Sequence, residues 1–187
     1  FHPAAVAEPL EPATLLIHQP AGVDTVSLVL SNLVCIATRS PDDHTRIRPL
    51  KKHFSRLQAL LPLETAASGL QVLTQDYRVG RKLGEDGDRL EQEWIVETTG
   101  SIIEDGLNLL NGHLEFNGRP LPRAKVSWQN EPRLRIALKN PQPGQIAHMC
   151  TLAGLAVQSM KRIRIGRIPL AGLPAGQWRY VAPYERF

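Results

Sequence analysis

The chain has 187 residues, 42% apolar and 21% charged, which suits one globular domain whose core needs no disulfide staples. No run of about 18 apolar residues is present to span a membrane, and two cysteines, Cys35 and Cys150, exclude a disulfide framework and a paired-cysteine zinc site. Against 18 acidic residues stand 22 Lys and Arg, a net charge of +4 that is unevenly placed: none precedes Arg39, while Lys161, Arg162, Arg164 and Arg167 crowd together, which suits either a polyanion or a solvated strand face.

Residues 1–12 are rich in Pro and Ala and read as a linker or extended arm. An apolar run at 14–17, bounded by Pro12 and Pro20, reads as a strand, and Ala21-Gly22 as a turn. Asp24 or Thr25 is placed to cap a short helix over 26–30. Residues 39–52, polar and basic with Pro41 and Pro49, read as a loop. Two strands follow, over 57–63 and 70–73, joined by a loop at 65–69. A helix is predicted over about 77–83 with Gly84 as its stop, then a strand over 91–96.

Ser101-Ile102-Ile103-Glu104 has the form of a capping box, opening a helix whose face continues through Leu107, Leu110 and Leu114. Two or three antiparallel strands fill 114–138, with turns at Asn117-Gly118 and Asn130-Glu131-Pro132. A helix over 145–152 follows Pro143-Gly144 and ends at Gly154. Residues 156–180 alternate apolar and basic, break at Gly166, Gly172 and Gly176, and read as a strand pair at a sheet edge. Strands dominate and no repeat is visible, so the class is α+β with a mixed, mostly antiparallel sheet.

The common nucleotide and hydrolase motifs are absent: no Walker loop, no G-x-G-x-x-G, no H-E-x-x-H and no G-x-S-x-G. His2, His18, His44 and His53 have no ligand spacing, so no metal is expected. The order of short motifs says more. Gln19-Pro20-Ala21-Gly22 is followed by Glu64-Thr65-Ala66-Ala67-Ser68-Gly69-Leu70-Gln71-Val72-Leu73-Thr74 and by Glu91-Gln92-Glu93-Trp94-Ile95-Val96. Then come Gln145-Ile146-Ala147-His148-Met149, Lys161-Arg162-Ile163-Arg164-Ile165-Gly166 and Gly176-Gln177-Trp178-Arg179. This series resembles the bacterial ribosomal RNA pseudouridine synthases of the small- and large-subunit branch. Their motifs run N-K-P-x-G, G-R-L-D-x-x-[ST]-x-G-L, E-K-x-Y-x-V, R-Q-[IV]-R-R-M, K-R-x-R-I-G and G-x-[WY]-R.

The resemblance covers about 14–179 and implies a fold with flanking helices and a central cleft, in two halves of about 13–96 and 97–187. It also implies a chemistry that detaches uracil from ribose, rotates it and rejoins it through carbon, with no cofactor and no metal. The target base must leave its stack to be reached. In the family an aspartate is the nucleophile, a tyrosine packs on the base and a basic residue pairs with the aspartate. Here the aspartate position is Glu64, the arginine two places earlier is Pro62, the tyrosine is Trp94 and the first-motif lysine is Gln19. The fourth-motif arginines fall on Gly144, Ala147 and His148, while Gln145, Ile146 and Met149 match.

Glu64 keeps a carboxylate but is one methylene longer, and a displacement near 1 Å costs about 100-fold in rate. Pro62 removes a cation, and Trp94 keeps a flat face for base stacking without the phenol. Arginines lost from such a site remove partners worth about 1.5–3 kcal/mol each. The replacements together imply an RNA-binding protein that keeps the fold and has weak or lost isomerase activity. Its partner would be structured rRNA or tRNA, met by Gln19, Gln145, His148, Lys161, Arg162, Arg164 and Arg167. An active synthase using Glu64, and a protein-interaction module on the same fold, are the alternatives. A cytoplasmic monomer is expected. The family often carries a small N-terminal RNA-binding domain, and a chain opening on Phe1 with a linker-like arm is read as lacking one that the longer protein had.

Overall fold

The structure is a computed structural model that describes residues 11–24 and 33–187. Eleven strands are found among these residues: β1 (Thr14–Gln19), β2 (Gln58–Leu60), β3 (Ala67–Thr74), β4 (Glu91–Gly100), β5 (Glu115–Phe116), β6 (Arg119–Pro120), β7 (Lys125–Asn130), β8 (Arg133–Lys139), β9 (Leu155–Ile165), β10 (Ile168–Pro169) and β11 (Trp178–Tyr180). They are accompanied by helices α1 (Tyr77–Glu85), α2 (Gly106–Leu110) and α3 (Gln145–Leu152).

One nine-stranded sheet runs β11-β1-β3-β9-β4-β8-β7, with β2 added to β3 and β10 to β9. Its pairings are antiparallel except β3 with β9. β5 and β6 form a separate hairpin, whose turn places Asn117 and Gly118 at φ 51° and 71°, as the Asn-Gly signal predicts. The fold is thus the mixed, mostly antiparallel α+β arrangement read from the sequence. Position 96, where the two halves were expected to meet, lies inside β4. No described helix is long and apolar enough to cross a membrane.

Three apolar clusters hold the sheet. Trp94, Val96, Ile136 and Leu138 pack under Ile146 and Met149 of α3. Leu15 and Ile17 meet Trp178 and Tyr180 at the other end, and Leu16, Leu70 and Val72 meet Leu83 of α1 and Ile165. Each fully buried Leu or Ile stabilises the fold by about 1.5–3 kcal/mol over exposure.

Four local expectations change. The helix predicted to stop at Gly84 runs to Glu85, because the Asp86 amide still bonds the Lys82 carbonyl; Asp76 caps its start by accepting from the Arg78 amide at 2.8 Å. The Ser101–Glu104 box does not open a helix. The Ile103 amide is taken by the Ala153 carbonyl at 3.0 Å, and α2 begins at Gly106 behind Asp105 at φ 56°. Residues 67–69, expected in a loop, already belong to β3. Of the segment 156–180 expected as a strand pair at a sheet edge, β11 does lie at the edge, but β9 is a central strand between β3 and β4, because its basic residues find partners on both neighbours. The helix expected over 26–30 lies outside the described residues.

Candidate RNA cleft

A cleft of about 440 Å³ opens where β2, β4 and β9 face the 140–146 segment. Leu60, Leu61, Pro62 and Glu64 form one wall, and Asn140, Pro141, Gln142, Pro143 and Ile146 the other. Gln92, Trp94 and Arg162 lie between them. Three predicted site residues, Glu64, Trp94 and Arg162, therefore share one cavity, together with the motif positions Pro62 and Ile146.

The placement of Arg162 follows from a break in strand register. Along β4 and β9, Glu93 stands opposite Arg164 but Trp94 stands opposite Arg162, so Ile163 is an extra residue with no partner across the ladder. Such a bulge sends flanking side chains where plain alternation would not. Arg164 joins the ion pairs of Glu91, at 2.6 Å, and Glu93, at 2.9 Å, with Arg135 on the same Glu93. Arg162 instead sits in the interior at 1% exposure. Its Nε donates to the Leu70 carbonyl at 2.8 Å, and its terminal nitrogens donate to the side-chain carbonyls of Gln92 at 3.1 Å and Gln71 at 3.2 Å. The guanidinium carbon is 5.5 Å from the centre of the Trp94 ring. Full burial pushes its pKa down, although an arginine keeps its charge at neutral pH.

Glu64 sits half-buried before the Thr65-Ala66 turn, which is clasped when the Gly22 amide donates to the Thr65 carbonyl at 2.7 Å. Its Oε2 accepts from the Gly144 amide at 3.3 Å, across the cleft at the start of α3. That end of a helix carries unpaired amides and partial positive charge, so a carboxylate is stabilised there. Glu64 makes no ion pair with Arg162.

The remaining site expectations fare differently. Trp94 is 3% exposed, part of the apolar cluster, and has the Arg162 guanidinium over its ring, so it offers no open face for a base. Its Nε1 is buried with no hydrogen-bond partner among the described residues, a cost of about 1–3 kcal/mol carried beside the cleft. Gln19 is fully buried and does not line the cleft; its Nε2 donates to the Val23 carbonyl at 2.9 Å and so shapes the turn that holds Thr65. Gln145 is buried and accepts from the Gln142 amide at 3.0 Å. His148 is half-buried, with Nε2 at 3.1 Å from the Glu115 carbonyl and its ring 5.3 Å from that of Phe116. Only Lys161 and Arg167 of the basic stripe are exposed. The sequence reading of the site missed Gln92, which shares the inward face of β4 with Trp94 and Val96, while Glu91 and Glu93 pair with cations on the other. The two-residue period carried that signal.

No protein-family model matches the chain. The dual-specificity RNA pseudouridine synthase RluF of Escherichia coli (strain K12) is 27% identical over 165 residues, which is 88% of this chain and 57% of the relative. The ribosomal large subunit pseudouridine synthase B of Yersinia pestis is 26% identical over 133 residues, 68% of this chain and 42% of the relative. The chain thus spans 57% of the length of the first of these relatives and less than half of the second. Among solved structures, a pseudouridylate synthase superposes with a TM-score of 0.75 at 17% identity, covering 92% of this chain and 71% of the other. An H/ACA ribonucleoprotein bound to a substrate RNA containing 2'-deoxyuridine gives a TM-score of 0.54 at 10% identity, over 84% of this chain and 48% of the other.

Proposed function

The chain is a relative of the bacterial ribosomal RNA pseudouridine synthases, and we propose that it binds structured RNA with that fold while its uridine isomerase activity is weak or lost. The observation that carries this reading is the state of the two charged groups of the cleft. The carboxylate at the nucleophile position is occupied by the Gly144 amide, and the buried cation by three neutral acceptors and an indole. A nucleophile must approach the sugar within about 3–3.5 Å and hold that geometry. Here Glu64 is held toward the opposite wall, and the positions that would carry arginines are Pro62, Gly144, Ala147 and His148. What remains is a cleft with a buried positive charge, suited to holding an electron-rich ligand. No cofactor or metal is part of the proposed role.

The test is a single-turnover conversion of uridine to pseudouridine on bulk rRNA and tRNA, with RNA binding followed as salt is raised. The native chain is expected to bind RNA with an affinity that falls steeply with salt and to convert little or no uridine. Failure to bind structured RNA at low salt overturns the reading. The second reading, an active synthase using Glu64, is supported by the presence of that carboxylate in the cleft wall. Efficient turnover abolished in Glu64→Gln would establish it.

A further inference from the structure

Among the described residues, a run of unpaired charge lies away from the stripe that the sequence draws attention to. Residues 44–63 contain no Asp or Glu and five cations: Arg46, Arg48, Lys51, Lys52 and Arg56. All five are exposed, and none forms a salt bridge among the described residues. Exposed unpaired cations on one segment repel one another, so the arrangement favours an anion.

The segment is anchored from beneath. Ile47, Phe54 and Leu57 pack against the cluster of Leu15, Ile17 and Trp178. The Phe54 ring meets Trp178 edge-on at 5.4 Å, and His53 Nδ1 lies 2.7 Å from the Tyr180 hydroxyl. Gln75 donates to the Lys52 carbonyl at 2.6 Å and also to that of Ser55. Apolar and aromatic side chains thus point in while the cations point out, on a backbone tied to the core by these contacts. A shallow hollow of about 540 Å³ is lined by Arg39, Asp43, His44, Arg46, Ile47, Arg48 and Pro49. Its one acid, Asp43, has no exposed side-chain surface and is engaged by Arg39, Thr45 and the Tyr180 amide, which leaves Arg46 and Arg48 facing the hollow uncompensated. The same segment continues into Leu60, Leu61 and Pro62, one wall of the cleft.

We propose that this 44–63 face is the principal seat for RNA backbone phosphates, with the Arg46–Arg48 hollow holding one phosphate and the rest of the run leading the strand to the cleft. The inference rests on the RNA-binding reading above and adds where the backbone is held. Phosphate contacts of this kind fix register and orientation and carry no sequence information.

The test compares binding of labelled bulk tRNA by the native chain and by the fourfold variant Arg46→Asn, Arg48→Gln, Lys51→Gln and Lys52→Gln. Asn is chosen at 46 because Arg46 stands at φ 59°, which Asn tolerates. Affinity at low salt is expected to fall about tenfold or more, and the slope of log affinity against log salt to drop by about 3, since each lost phosphate contact removes about 0.7–0.9. Lys161→Gln with Arg167→Gln is expected to shift the slope by less than about 1, and thermal melts are to match in all three proteins. A fourfold variant with unchanged affinity and slope overturns the proposal and leaves the RNA-binding reading intact. A native chain that binds no tRNA at low salt overturns both. If the variant loses binding to anionic phospholipid vesicles and keeps tRNA binding, the face serves a membrane surface and the proposal is again overturned.

Discussion

The guanidinium of Arg162 stands 5.5 Å from the centre of the Trp94 ring, and no carboxylate pairs with it among the described residues. A buried cation without a counter-ion is held by the sum of weaker partners, here three carbonyls and a π face, and together they fix its orientation at the inner end of the cleft. The same constellation ties β3, β4 and β9 together, because the acceptors come from Leu70 and Gln71 on β3 and from Gln92 on β4.

Arg162→Met removes the charge at similar length but leaves three acceptors without a donor. Unfolding in urea is expected to show a loss on the order of 3 kcal/mol. Arg164→Met, two residues along, breaks only the partly exposed pairs with Glu91 and Glu93 and is expected to cost about 1 kcal/mol. Equal losses for the two variants would mean that Arg162 does not have the interior position described.

Gly69 permits the approach of β3 to β9. It stands at φ 115°, and a Cβ there would lie 2.6 Å from the Arg162 amide nitrogen and nearer still to its carbonyl oxygen. Both the backbone conformation and the contact exclude a side chain. Gly69→Ala is expected to destabilise the protein by about 3 kcal/mol or more, the overpacking and positive-φ costs combined. Gly22→Ala, at φ 84° with open space around it, is the comparison that separates them: it bears the backbone cost alone, about 1–2 kcal/mol.

Much of this was legible beforehand, and the limits have physical causes. β1 between its prolines, the Asn117-Gly118 hairpin and the helix over 145–152 follow from local chemistry and appear where expected. The order of motifs also gave the fold class. What a sequence does not announce is a bulge. Plain alternation puts Arg162 and Arg164 on one face, and the extra residue Ile163 separates them. For the same reason β9 read as an edge: its arginines look solvated until Gln71, Gln92, Glu91 and Glu93 are brought beside them from 70 or more positions away. The Ser101–Glu104 box failed because a distant carbonyl, Ala153, claimed an amide that the local pattern assigned to the cap.

Stability is expected to fall in two stages on acidification. His18 and His53 are buried, and burial pushes both imidazoles below the usual 6.5. A pKa lowered by folding gives stability that is full above the unfolded value and lost as pH falls through the folded one, so a first decline begins below about pH 6.5. The second comes from carboxylates held low by neighbouring cations, among them Glu93 by Arg135 and Arg164, Glu91 by Arg164 and Lys125, and Asp43, Asp76 and Glu185 by one arginine each. The glutamates' contribution is present above the ordinary value of 4.5 and is lost below it. Urea titrations at pH 7.5, 5.5 and 3.5 check both stages. Glu93→Gln is expected to make the acid stage shallower and leave the first unchanged; a curve parallel to the native one would mean that Glu93 does not contribute.

Glu64 reaches Gly144 because it is a glutamate. An aspartate at the same position is shorter by a methylene and cannot hold the 3.3 Å contact without moving the Thr65-Ala66 turn, itself fixed by Gly22. Glu64→Asp is therefore expected to lose about 0.5–1 kcal/mol of stability, the scale of a helix-start interaction, and to speed hydrogen exchange at the Gly144 amide. Glu64→Gln keeps an acceptor oxygen at the same reach and is expected to lose less on both measures. The freed carboxylate of Glu64→Asp then bears on the chemistry. Uridine isomerisation that appears only in this variant means the extra methylene, and its engagement with Gly144, is what keeps the site silent. Silence in both the variant and the native chain places the deficit in the missing cations, at Pro62 and along 144–148. Unchanged exchange at Gly144 in Glu64→Asp would mean that the contact across the cleft is absent in solution.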